Sequence, residues 1–174
     1  MVVAIAGVLV VGVVATTGWR WRHPTVFPEQ GSYGFSSGRG QVPQVIGLGQ
    51  VHVGPDGPHV LTLHRLQAAV TRRPEGTEVR FLRCHPIRTQ QAEVGMGSLA
   101  DAEELCELTP VGDGSTLDVS GERRDYLLME VTLDRPGTFH AAGYEVTYSA
   151  GWQTGVQQTG PDITIVRKGD AGRG

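Results

Sequence analysis

The apolar and polar positions of this chain change rhythm three times. Residues 1–19, MVVAIAGVLVVGVVATTGW, carry no charged side chain, and apolar residues would cover every face of a helix built from them. At about 1.5 Å per residue, Val2 to Trp19 would span about 27 Å, close to the ~30 Å hydrocarbon thickness of a bilayer. The flank that follows suits the headgroup region, with Trp19 and Trp21 as amphipathic rings and Arg20 and Arg22 able to reach phosphates. A cleaved signal peptide has a shorter apolar core and small residues at its cleavage site. Here Ala15-Thr16-Thr17-Gly18 runs straight into Trp and Arg. Residues 1–19 are therefore expected to form a transmembrane signal anchor, with the lipid bilayer as partner. Gly7 and Gly12 are too far apart to make a GxxxG dimerisation face.

From 20 to 44 the periodicity lapses. HPTVFPEQGSYGFSSGRGQVP, rich in Pro, Gly and Ser, reads as an extended linker. From Val45 short apolar runs alternate with turns, and residues 45–167 read as one β-sandwich domain. The strand candidates are 45–53, 59–70, 77–84, 116–120, 125–133, 138–151 and 152–166. The clearest is 125–133, where Leu127, Met129, Val131 and Leu133 alternate with Tyr126, Leu128, Glu130 and Thr132. That pattern places Glu130 and Thr132 in water. Tyr144, Val146 and Tyr148 share one face of the next strand. The stretch 85–115 is the least regular, and SLADAEELCEL (98–108) has the start signals of a short helix. RKGDAGRG ends the chain, with 168–174 expected as a disordered tail. About seven short strands separated by turns suggest an Ig-like or fibronectin-like sandwich, mainly β.

Composition changes the picture little. Twenty-five Gly and ten Pro spread along 174 residues suit many tight turns. A net charge of −3 gives no reason to expect nucleic acid as a partner. Cys84 and Cys106 are the two cysteines, and in an exported domain an even pair most simply forms one structural disulfide. The same pair argues for the C-terminal domain outside the cytoplasm. The positive-inside rule, applied to Arg20 and Arg22, argues the other way. The expectation is a single-pass protein of the cell membrane with its sandwich extracytoplasmic.

The run VIGLGQVHV followed by HVLTLHRLQ, and much later RPGTFHAAGYEVTYSAG and ITIV, resembles membrane-anchored actinobacterial proteins with an Ig-like extracytoplasmic domain. Pro136, Gly137, Gly143, Val146, Tyr148 and Gly151 carry the resemblance, over residues 45–166. It implies a place in the envelope and a fold. It implies no activity and no site residues.

Candidate chemistry is sparse. Among six histidines, Cys84-His85 invites a blue-copper reading, but adjacent ligands with no second His before Met96 do not fit such a site. His59 and His64 fall on opposite faces of a strand, and His52 and His64 can meet across a hairpin as a surface pair. GxSxG and HExxH are absent. Asp101, Glu103, Glu104 and Glu107 read as a solvated helix face. No catalytic, metal or cofactor residue is assigned. The sequence favours a module that binds or scaffolds in the cell envelope, its partner an envelope protein or wall polymer. The alternative is a metal carrier or enzyme assembled from scattered His and carboxylates.

Overall fold

The computed structural model describes residues 26–27, 32–37, 44–51, 53, 57–88 and 94–169. The expected anchor over 1–19, its Trp19-Arg20-Trp21-Arg22 flank and residues 170–174 lie outside them. Among the described residues no helix is long and apolar enough to cross a membrane. The chain is mainly β, with ten strands among the described residues. They are β1 (Ser32–Ser37), β2 (Gln44–Gln50), β3 (Val60–Arg72), β4 (Thr77–Pro86), β5 (Met96–Ser98), β6 (Cys106–Pro110), β7 (Thr116–Asp118), β8 (Tyr126–Leu133), β9 (Gly137–Ala150) and β10 (Gln153–Arg167). Helix α1 (Leu99–Leu105) stands between β5 and β6.

The strands form two five-stranded sheets, ordered β1-β10-β9-β3-β7 and β5-β2-β8-β4-β6. Their pairings nest: β2 lies on β8, β3 on β7 and β4 on β6, all antiparallel. These three pairs are shared between the two sheets of a β-sandwich. At the edge, β10 folds back from β9 and meets β1 in parallel. The Ig-like part of the expectation is not supported. Immunoglobulin order keeps the first two strands of the sandwich in one sheet, whereas here β1 and β2 occupy different sheets. With β2 in one sheet and β3 in the other, the two strands are not paired as a hairpin.

Between the sheets lies the main core. Leu61 and Leu63 of β3, Leu127, Met129, Val131 and Leu133 of β8, and Ile163 and Ile165 of β10 are buried there at the period of a strand. Phe139, Ala141, Tyr144, Val146 and Tyr148 of β9 join them, with one change of phase between Ala141 and Tyr144. Gly143 makes that change, at φ 77°, and a Cβ on it would stand 2.2 Å from the Thr159 carbonyl oxygen. Gly155 lies opposite Tyr148 on β10, and its missing side chain leaves room for the tyrosine ring.

The irregular stretch builds a second layer outside the β8 sheet. Ser98 Oγ accepts from the Asp101 amide, and the Asp101 carboxylate accepts from the Ser98 amide, a reciprocal cap that starts α1. The Ser98 hydroxyl also donates to Asp101 Oδ2, and that bond, followed by the one from the Ser98 amide, holds the Asp101 carboxyl below its ordinary range. Val45, Leu82, Cys84, Val94, Ala102, Cys106, Tyr126 and Leu128 form a second apolar cluster there. Cys84 and Cys106 are disulfide-bonded, with Cα atoms 5.1 Å apart. Tyr126 Oη accepts from the Val94 amide at 3.1 Å and stands 3.5 Å from Cys106 Sγ. Covered on both faces, β8 buries Glu130 as well, contrary to the alternation that placed it in water.

The linker expectation also changes. Val26 and Phe27 are buried in the main core, and 32–37 is β1. The Gln157 carboxamide clamps this entry: its Oε1 accepts from the Val26 and Phe27 amides, and its Nε2 donates to the Phe27 carbonyl. The Phe27 ring meets Tyr148 edge-on at 5.3 Å.

Candidate functional site

Two short strands leave an opening. β7 pairs with Val60–Thr62 of β3, and Gly114 and Ser115 bond Leu63. Beyond that point, among the described residues, no strand lies on this edge of β3. β6 pairs with Leu82–Pro86 of β4, and the Val111 amide donates to the Phe81 carbonyl. The β4 edge from Thr77 to Arg80 is likewise unpaired on that side. Between these two edges a slot of about 830 Å³ opens into the sandwich. Leu66, Ala68, Val70, Val79, Phe81 and Val111 give it a half-buried apolar floor. Gln67, Thr71, Arg72 and Arg73 give it a polar rim. Arg72 and Arg73 have no carboxylate within ion-pair distance among the described residues. A smaller pocket of about 250 Å³ continues the slot toward His64 and Asp113.

Tyr144 stands behind this floor, its ring centroid 6.1 Å from that of Phe81. Its hydroxyl is buried with no hydrogen-bond partner among the described residues, and burial raises its pKa.

On the outer face of the β9 sheet, two histidines each join a hydroxyl to a carboxylate. His64 Nε2 is 2.9 Å from Ser149 Oγ, and its Nδ1 is 3.6 Å from Asp113 Oδ1. His140 Nδ1 bonds Thr71 Oγ1, and its Nε2 is 2.8 Å from Asp162 Oδ1. The first set has the members of a hydrolytic triad, but its setting supplies neither strain nor an oxyanion hole. Ser149 lies inside the β9 ladder opposite Thr62, and Asp113 is 83% exposed. Both sets are cross-strand polar contacts on a wet face.

His85 has a structural partner. Its Nδ1 is 2.7 Å from Oδ1 of the buried Asp125, whose Oδ2 accepts from the Asp118 amide. The pair ties the end of β4 to the β7–β8 connection. Among the described residues no three His, Cys, Asp or Glu side chains converge as a metal site. His64 meets Ser149 and Asp113, while His52 lies outside the described residues. The sequence reading missed the slot altogether, because the slot is set by where β6 and β7 stop.

No protein-family model matches the chain, and neither a curated protein nor a solved structure is significantly similar to it. The comparisons give the resemblance to actinobacterial Ig-like ectodomains no support.

Proposed function

We propose that this chain is a membrane-anchored, extracytoplasmic β-sandwich that binds an envelope protein or wall polymer through the slot between β3 and β4. The observation that carries this reading is the half-buried apolar floor left open between two unpaired strand edges. Open edges and apolar clefts are where proteins accept partners, and a sandwich with no such role usually covers or shortens them. The Cys84–Cys106 disulfide supports an oxidising compartment. The uncharged run at 1–19 supports the anchor. A second reading, hydrolysis at Ser149 with His64 and Asp113, has their proximity in its favour and nothing to stabilise an oxyanion.

A photo-crosslinking residue at Ala68, in the full chain in intact cells, tests the slot. It should give an adduct that the same residue at Glu104, exposed on α1, does not give. Mass spectrometry of the adduct then separates protein from polymer. No adduct at Ala68, or the same adducts at both positions, would overturn the slot as the binding site.

A further inference from the structure

The register of the strands gathers several connections at one end of the sandwich. Cys84 lies opposite Tyr126, Val60 opposite Asp118, Thr62 opposite Ser149 and Ala150 opposite Gln153. The residues just beyond these pairs therefore share an end: 57–60, 85–88, 119–125 and the β9–β10 turn. The four large apolar side chains exposed among the described residues all fall on or near it. Val60, Ile87 and Trp152 are 47%, 44% and 62% exposed, and Val156 follows Trp152 down β10. Arg88, Arg123 and Arg124 are exposed there too, against the exposed acids Glu107, Asp118 and Glu122. The other end, at Glu75, Asp134 and Arg135, exposes charged groups, including the Glu75–Arg135 ion pair.

The first described residues lead away from the apolar end. β1 runs parallel to β10 and away from that end, from Ser32 opposite Asp162 to Ser37 opposite Arg167. Upstream of it, Val26 and Phe27 are held by Gln157, closer to the β9–β10 turn. Seven Cα steps separate Trp19 from Val26, a reach of at most about 25 Å. Gln157 lies some five residues along β10 from the turn, about 16 Å of strand. Fully extended toward this end, a connection of that length would pass it by at most about 10 Å.

We propose that this end of the sandwich docks on the bilayer surface, with Trp152, Ile87 and Val60 among the headgroups and Arg88, Arg123 and Arg124 against anionic lipid. The inference rests on the reading of residues 1–19 as an anchor. Trp suits the headgroup layer because its ring is apolar and its indole N–H is polar, and arginines near the surface are drawn to anionic lipid. Docking holds the long axis of the sandwich away from the membrane, so that the slot between β3 and β4 opens sideways.

The test uses the full chain with Trp19→Phe and Trp21→Phe, which leaves Trp152 as the sole tryptophan. It is reconstituted in vesicles of phosphatidylglycerol and phosphatidylcholine whose acyl chains are brominated near the headgroup. Trp152 should lose about half its emission, and Arg123→Glu with Arg124→Glu should restore much of it. A tryptophan at Glu75→Trp, in a chain that also carries Trp152→Phe, should be unaffected. A chain that floats with the vesicles while Trp152 is quenched no more than the tryptophan at 75 would overturn docking and leave the anchor standing. A chain that does not float would overturn the anchor and the docking with it.

Discussion

Arg80 and Glu130 lie directly opposite each other on β4 and β8, and Arg80 Nη2 donates to Glu130 Oε1 at 2.8 Å. The two side chains have unequal surroundings: Glu130 is 2% exposed and Arg80 is 62% exposed. The carboxylate raises the guanidinium pKa further above its ordinary value, first by the hydrogen bond and then by its charge. Glu130 is buried on the face of β8 that also carries Leu128 of the second apolar cluster. Arg80→Ala should lower the melting temperature by leaving a buried carboxylate unpaired. Adding Glu130→Gln should recover part of that loss. A silent Arg80→Ala, or a double variant less stable than the single, would show that the pair does not hold Glu130 in place.

Tyr144→Phe should be neutral or stabilising. Its hydroxyl is buried without a partner among the described residues, so removing the oxygen relieves a desolvation cost of about 1 kcal/mol while the ring keeps its contacts with Phe27 and Phe81. Urea denaturation of both proteins measures it. A loss of more than about 1 kcal/mol would mean that the hydroxyl has a partner in solution.

The disulfide closes a loop of sequence separation 22. By the chain-entropy estimate such a loop contributes about 3 kcal/mol, so Cys106→Ala should lower stability by roughly that amount. Peptide mapping of the native protein under non-reducing conditions should find Cys84 and Cys106 in one linked pair. Recovery of both cysteines alkylated from envelope material would rule the bond out.

Ser149 should not react with a fluorophosphonate probe. Although His64 Nε2 is within hydrogen-bond distance of its hydroxyl, the serine is paired with Thr62 and Thr154 on either side near the end of β9, and the ladder engages backbone amides there. Labelling of Ser149 that is lost in His64→Ala would instead favour the enzyme reading.

The long periodic strands were legible in the sequence because each shows its buried face at period two. Leu127, Met129, Val131 and Leu133 are in the main core, as are Tyr144, Val146 and Tyr148. Helix α1 was legible from its cap at Ser98. β1 was not, since Ser32–Ser37 pairs with a strand at the far end of the chain and local composition resembles a spacer. β5 and β6 were too short for a period to emerge. The burial of Glu130, on the same face of β8 as Leu128, is announced by no local pattern. The slot is a tertiary fact, created where β6 and β7 end, and Ser149 meets His64 across a separation of 85 residues.

The central claim is that a disulfide-bonded sandwich is held on the far side of the membrane from the cytoplasm. A phosphatase that is active only outside the cytoplasm, fused to the C-terminus of the full chain, tests it most directly. The account predicts an active fusion, with a cytoplasm-dependent reporter at the same position dark. A dark phosphatase and a bright cytoplasmic reporter, at equal protein levels, would contradict it.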